Sequence, residues 1–244
     1  MSLDATLRRK VAIVTGGGTG IGRATACALA RAGASVVVTG RRIGPLQETA
    51  KRADGISAHQ CDVTDRAAVA RLIDDVIERY ERIDILVNSA GVNIAHRRLA
   101  ELTPEAWDEL LEVNATGVFN LVYAVLPVMR RQRDGLIVTI SSIAGLRPSV
   151  LAGAAYSAAK HAATALMRVV GLEEAENGIR ACVISPGEVD TPILDQRPQP
   201  VTAEHRARIL QPEDVAAAVL FVASLPPRAS VPELLIKPTT QAFA

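Results

Sequence analysis

The segment AAYSAAK, Ala154 to Lys160, places a tyrosine and a lysine four residues apart among alanines and a serine. On a helix that spacing is just over one turn, so both side chains share a face. A phenol beside an ammonium is an acid whose proton is easier to lose. A free phenol titrates near ~10, and a neighbouring positive charge favours the phenolate. The alanines also have a plainer reading, because alanine is the best helix former and small residues let helices pack closely. Upstream, GLIVTISS ends in Ser142, where a strand would hand a hydroxyl to a turn.

A second kind of chemistry is written in TGGGTGIG, Thr15 to Gly22. Glycines permit positive φ and a close backbone approach. The loop follows the β-branched run KVAIVTG and opens an apolar helical stretch, which is the context a phosphate-binding turn needs. The free N–H groups of the helix start would then face a pyrophosphate. Gly16, Gly20 and Gly22 form G-x-x-x-G-x-G, not the plain G-x-G-x-x-G, and Gly18, Thr19 and Ile21 complete the cradle. After the next strand, VVVTGRR puts Gly40 where an NAD-selective site usually holds an acid, followed by Arg41 and Arg42. A missing carboxylate removes repulsion against a 2′-phosphate, and a guanidinium pairs with one. This favours NADP(H) over NAD(H), with Arg41 the stronger contact.

These groups need a scaffold that brings strand ends together. Short β-branched runs alternate with longer amphipathic stretches from Lys10 onward, with Asp65 and Thr103 placed as helix caps and Pro104 at a first helical position. Such alternation predicts an α/β doubly wound parallel sheet of Rossmann type, about seven strands in one domain spanning 1–244. Ligands bind beyond the carboxyl ends of such strands, and Gly16, Gly40, Asp62, Asn88 and Ser142 all fall there.

Composition agrees. The chain has 244 residues, 49% hydrophobic but only 3% aromatic, so its core is built from Ala, Val, Leu and Ile. A net charge of +1 gives no argument for nucleic acid or an anionic membrane. Cys27, Cys61 and Cys182 are far apart, with no C-x-x-C pair, and read as buried thiols. No cluster has metal-ligand spacing, and the G-x-S-x-G nucleophile elbow is absent. The N-terminus lacks a long apolar stretch and no apolar run approaches the ~20 residues of a membrane span, so a cytoplasmic protein is expected.

TGGGTGIG, CDVTD, NSAG, VNATG, ISS, YSAAK and SPGEVDTP resemble, in order, the motifs of the compact short-chain dehydrogenase/reductase family. The resemblance covers the chain from Lys10 to its end. It implies a nicotinamide cofactor and reversible hydride transfer between an alcohol and a carbonyl. By the same resemblance Tyr156 is the acid/base, Ser142 bonds the substrate oxygen, and Lys160 tunes Tyr156 and holds the nicotinamide ribose. Asn114 kinks its helix and holds a water that feeds a proton relay to Lys160. Asp62 and Val63 contact the adenine. Asn88, Ala90 and Gly91 form the turn beside the cofactor, with Ser89 a departure from the family pattern. Pro186, Gly187, Val189 and Thr191 hold the nicotinamide and its carboxamide. The family also implies homo-oligomers, usually tetramers, built through the two long helices and the last helix and strand, with a homodimer the alternative.

One departure bears on the site. Fourteen positions separate Ser142 from Tyr156, one more than in many members. The extra residue falls in the loop GLRPSVLAGA, and Ser141 is the competing serine. Downstream, three prolines lie between Thr191 and Pro212, and residues 191–212 correspond to a substrate lid. Arg147, Arg197, Arg206 and Arg208 are weighed as substrate contacts against plain surface charges, and His96 is read as an exposed loop residue. Two functions from other classes compete: a binding protein that keeps the cradle but has lost turnover, and a sugar-nucleotide epimerase or dehydratase. The intact set of Ser142, Tyr156, Lys160 and Asn114 speaks against the first, and the short region after Pro212 against the second.

Overall fold

The β-branched runs pair side by side. In the computed structural model, which describes residues 7–242, the strands are Val11–Thr15 (β1), Ser35–Gly40 (β2), Ile56–Gln60 (β3), Ile85–Asn88 (β4), Gly135–Ile140 (β5), Ile179–Pro186 (β6) and Glu233–Ile236 (β7). All pair in parallel, in the order β3-β2-β1-β4-β5-β6-β7. The order reverses between β1 and β4, so the crevice of the sheet opens there. This is the single-domain doubly wound sheet that strand–helix alternation predicts.

Both faces of the sheet are covered. Alternate residues of β1 show why: Ala12 and Val14 pack on one side, Val11 and Ile13 on the other. The first side is closed by Gly20–Arg31 (α1), Ile43–Ala50 (α2) and Pro212–Ala223 (α8). The second is closed by Arg66–Tyr80 (α3), Gly117–Gln132 (α5) and Ala154–Glu173 (α6). Asp65 caps α3, its Oδ1 accepting from the N–H groups of Ala67 (2.8 Å) and Ala68 (3.1 Å). Thr103 caps Pro104–Leu111 (α4) by accepting from the Ala106 N–H at 3.2 Å. The three cysteines are free and buried.

The long helix differs from its expected form. α4 passes into α5 through a π-helical turn, Glu112–Thr116, where the Gly117 N–H reaches back five residues to the Glu112 carbonyl. Asn114 lies in this wide turn. By length and composition the whole run Pro104–Gln132 would also suit a membrane span, which corrects the expectation that no segment approaches one. Half of its apolar stretch is buried in the fold, as in a core helix whose charges lie at its ends. The 191–212 region is more ordered than its prolines suggest. It holds a 3-10 turn at Pro192–Gln196, a short helix at Ala203–Arg206 (α7) and a parallel bridge between Val189 and Leu210.

The amino edge of the sheet is pinned by one carboxylate. The Asp84 side chain, 2% exposed, accepts from the Val11 N–H (2.9 Å), Lys10 Nζ (2.9 Å) and both Arg82 Nε (2.8 Å) and Nη2 (2.6 Å). Burial pushes its pKa up, but the bonds from Arg82, Val11 and Lys10 outweigh burial and hold the carboxyl below its ordinary range. Its stabilising contribution is therefore complete above the unfolded value of ~3.9 and is lost as pH falls through the lower folded value. Asp84→Asn is expected to lower unfolding free energy by about 1–3 kcal/mol at neutral pH. In denaturant titrations the gap to the parent should close below pH ~4. A gap that persists in acid would show that the carboxylate's charge is not what matters.

Candidate active site

The carboxyl ends of β1, β4, β5 and β6 surround a cleft of about 800 Å³. A smaller recess of about 200 Å³ shares Gly16, Thr19, Arg42, Gly91 and Val92 with it. Together they form one groove, running from the loop after β2 to Tyr156.

The glycine loop forms the floor of the groove. Gly16 has φ +63°, and a Cβ there would stand 2.9 Å from the Ala90 backbone. A Cβ on Gly22 would collide with the Gly16 carbonyl oxygen. Both positions need glycine. Thr19 takes extended backbone and its side chain makes no capping bond, so the first N–H groups of α1 at Gly20 and Ile21 remain for an anion. Gly18 packs against Pro45 of α2. Thr15 Oγ1, a contributor not singled out from sequence, accepts from the N–H groups of Ser89 and Ala90 at 3.0 Å each. It locks the glycine loop to the turn after β4. These features fit a dinucleotide pyrophosphate.

The other expected cofactor residues converge on the same groove. Gly40, Arg41, Arg42, Asp62, Val63, Ala90 and Gly91 line the recess. Arg41 and Arg42 are exposed, and among the described residues no carboxylate pairs with either. Asp62 Oδ1 accepts from the Thr64 N–H (3.0 Å) and Oγ1 (2.9 Å), which folds the loop after β3. Asn88 is buried and donates to Thr139 Oγ1 at 3.2 Å, bracing β4 on β5 beneath the site. Pro186, Gly187, Val189 and Thr191 line the main cleft. Gln241 backs that loop, its Oε1 accepting from the Glu188 N–H at 2.9 Å. Nothing in the sequence marked Gln241, since a lone glutamine near a terminus carries no pattern.

Tyr156 and Lys160 share the inner face of α6. Lys160 Nζ lies 5.6 Å from the Tyr156 ring centroid and donates to the Ile140 carbonyl at 2.9 Å. Ser142 Oγ accepts from the Ala144 N–H at 3.1 Å and stands near enough to Tyr156 to pull the phenol's pKa down. The two competing serines divide clearly. Ser141 is buried, with its Oγ bonded to Thr164 Oγ1 (2.9 Å) and the Lys160 carbonyl (3.3 Å), whereas Ser142 faces Tyr156. Asn114 Oδ1 accepts from the Val92 N–H (3.2 Å), and its Nδ2 donates to the carbonyls of Val92 (3.0 Å) and Leu110 (2.9 Å). The amide thus braces the loop after β4 and satisfies a carbonyl at the π-turn.

Residues 10–201 match the family model described as short chain dehydrogenase. The chain belongs to this family. It is 36% identical over 240 residues to an oxidoreductase of Staphylococcus saprophyticus, covering 95% of this chain and 98% of that one. Its fold superposes on an alcohol dehydrogenase of Thermococcus sibiricus complexed with 5-hydroxy-NADP, with TM-score 0.86, 30% identity and coverage of 96% and 99%. A 3-ketoacyl-(acyl-carrier-protein) reductase of Brucella melitensis complexed with NADH matches with TM-score 0.86, 26% identity and coverage of 95% and 98%. The protein is an oxidoreductase-family enzyme, and a nicotinamide cofactor is supported.

Within this short-chain dehydrogenase the electrostatics around Tyr156 depart from the simple spacing argument. Burial pushes the phenol up to about 12, opposed by the Ser142 hydroxyl and the charge of Arg97. Burial also brings Lys160, 5% exposed, down to about 8. Desolvation therefore dominates the four-residue pairing, and the charge of Arg97 draws the phenol part of the way back. Nothing in the sequence sets that residue apart from its neighbours His96 and Arg98. His96 is exposed and lies 3.6 Å from Glu101, whereas Arg97 is buried beside the cleft.

Proposed function

We propose that the protein interconverts an alcohol and a ketone or aldehyde, with NADP(H) preferred over NAD(H). The observation that carries this reading is the meeting of Ser142, Tyr156 and Lys160 on one wall of a cleft whose floor is a glycine loop. A nicotinamide held there by the glycine loop and by Pro186, Gly187, Val189 and Thr191 would supply the hydride exchanged with the substrate carbon. Ser142 holds the substrate oxygen, and Tyr156 gives that oxygen a proton in reduction or takes one in oxidation. Lys160 contributes positive charge and a grip on the ribose hydroxyls. Asn114 keeps the Val92 loop in place beside them. With its pKa raised to about 12, Tyr156 stays protonated through neutral pH, the form that reduction needs.

Gly40, Arg41 and Arg42 support the preference for a 2′-phosphate. Residues 191–212 serve as the lid over the substrate. A homotetramer is favoured because Phe119 and Tyr123 of α5, Val169 and Leu172 of α6, Phe221 of α8 and Leu235 of β7 are exposed apolar residues on the elements that would meet. The test is a turnover screen of ketones, aldehydes and alcohols with each coenzyme. Reduction is expected to stay level through neutral pH, and oxidation to rise towards alkaline pH. Tight coenzyme binding with no turnover of any compound would favour the silent binding protein instead.

A further inference from the structure

The loop after β4 carries a buried cation with no counter-ion. Arg97 is 6% exposed, and among the described residues no carboxylate pairs with it. A buried charge left unpaired is costly, so such a group is normally neutralised by something. Three backbone carbonyls hold it in place. Nε donates to Ile94 O (2.6 Å), Nη1 to Leu151 O (3.1 Å) and Nη2 to Gln196 O. Those carbonyls belong to its own loop, the segment just before the helix of Tyr156, and the lid. Its backbone and Cβ pack against Gly153, the residue that precedes α6.

A guanidinium has five N–H donors. Three are used in these bonds, which leaves one on each terminal nitrogen. The carbonyls fix the plane of the group without cancelling its charge. Arg97 lines the same cleft as Tyr156, and its field reaches the phenol. Arg197 lies close enough to act on Arg97 electrostatically, but its charge is answered by Glu188 at 3.3 Å, which also takes His205 at 2.5 Å. Of these two guanidiniums, Arg97 is thus the one without a counter-ion among the described residues.

The geometry points to a substrate that carries a carboxylate, held by the two remaining donors of Arg97 while Ser142 and Tyr156 hold its carbonyl or hydroxyl oxygen. The substrates are then oxo acids in the reductive direction and hydroxy acids in the oxidative one. The reaction balances as ordinary reduction: a hydride that the reduced nicotinamide would supply goes to the carbonyl carbon, a proton from Tyr156 goes to its oxygen, and the carboxylate is unchanged. This inference rests on the oxidoreductase reading above and names the substrate class of that site.

The test compares 2-, 3- and 4-oxo acids of four to six carbons with their methyl esters, using NADPH. In parallel, the corresponding saturated acids and primary amides are titrated into the coenzyme-loaded enzyme by calorimetry. At least one acid is expected to exceed its ester in kcat/KM by about ten- to hundredfold, the range of a charge-assisted bond. Arg97→Met should erase that ratio, with the loss falling on the acid and not equally on the ester, and Arg97→Lys should keep part of it. Equal turnover of acids and esters by the parent would overturn the inference. So would an Arg97→Met loss that falls equally on both, since that would mark a structural staple. If nothing turns over but saturated acids outbind amides in an Arg97-dependent way, the carboxylate site stands and the oxidoreductase reading fails. Acids and amides that bind alike would sink the carboxylate site whatever the turnover.

Discussion

Tyr156→Phe is expected to cut carbonyl reduction by about 10²- to 10⁴-fold while leaving coenzyme affinity within a few-fold. The change removes a single oxygen. The ring stays packed on the wall of the cleft, Lys160 keeps its bond to the Ile140 carbonyl, and only the proton donor beside Ser142 is lost. Single-turnover kinetics with coenzyme fluorescence would separate the chemical step from binding. The serines provide the internal control. Ser142→Ala should slow turnover because Ser142 faces Tyr156. Ser141→Ala should lower stability by about 1 kcal/mol, the usual net value of one hydrogen bond, and spare turnover. A Tyr156→Phe enzyme that works, or a Ser141→Ala enzyme that is dead while Ser142→Ala is not, would refute the proton-transfer assignment.

The second large effect concerns the coenzyme. Replacing Arg41 and Arg42 together by alanine is expected to weaken NADPH binding by about ten- to hundredfold and to leave NADH binding within about threefold. Both guanidiniums lie where the groove meets the loop after β2. Only the 2′-phosphate distinguishes the two coenzymes there. Gly40→Asp should act in the opposite direction by placing a carboxylate against that phosphate. The substitution is sterically open, because a Cβ at Gly40 would meet nothing closer than Leu46 Cδ2 at 3.8 Å. Fluorescence titration of both coenzymes into the parent and the two variants measures all six affinities. A parent protein that prefers NADH, with no response to the double substitution, would remove the basis for NADP(H).

The scaffold was legible because its signals are local. A β-branched run bounded by a glycine turn, such as SVVVTG, becomes a strand with nearly the limits expected of it. The glycine loop was legible because steric need restricts Gly16 and Gly22 to one residue type. Tyr156 and Lys160 were legible as a pair, since four residues on a helix fix their common face. What such local signals cannot carry is the balance between burial and charge. The pair suggests a phenol made more acidic, but desolvation sets its direction, and desolvation depends on the whole cleft wall. Arg97 escaped notice for a related reason. In NIAHRR nothing distinguishes one buried arginine from its exposed neighbours until β4, α6 and the lid close around it. The π-turn was hidden too, because Glu112–Thr116 has a composition a regular helix accepts.

That wide turn also keeps a phase. Each residue of an α-helix advances the chain by about 100° around the axis. The extra residue at Glu112–Thr116 is taken up with little change in the rotation of α5 relative to α4. In that rotation, Val118, Leu121 and Val125 point into the core while Tyr123 points outward. Because the wide turn takes up one residue more than an α-turn for nearly the same rotation, removing one residue from it would leave a regular helix with the core stripe of α5 still on the sheet. The loss would fall instead on Asn114 and its bonds to the Val92 loop, so a deletion here should cost the site more than the core.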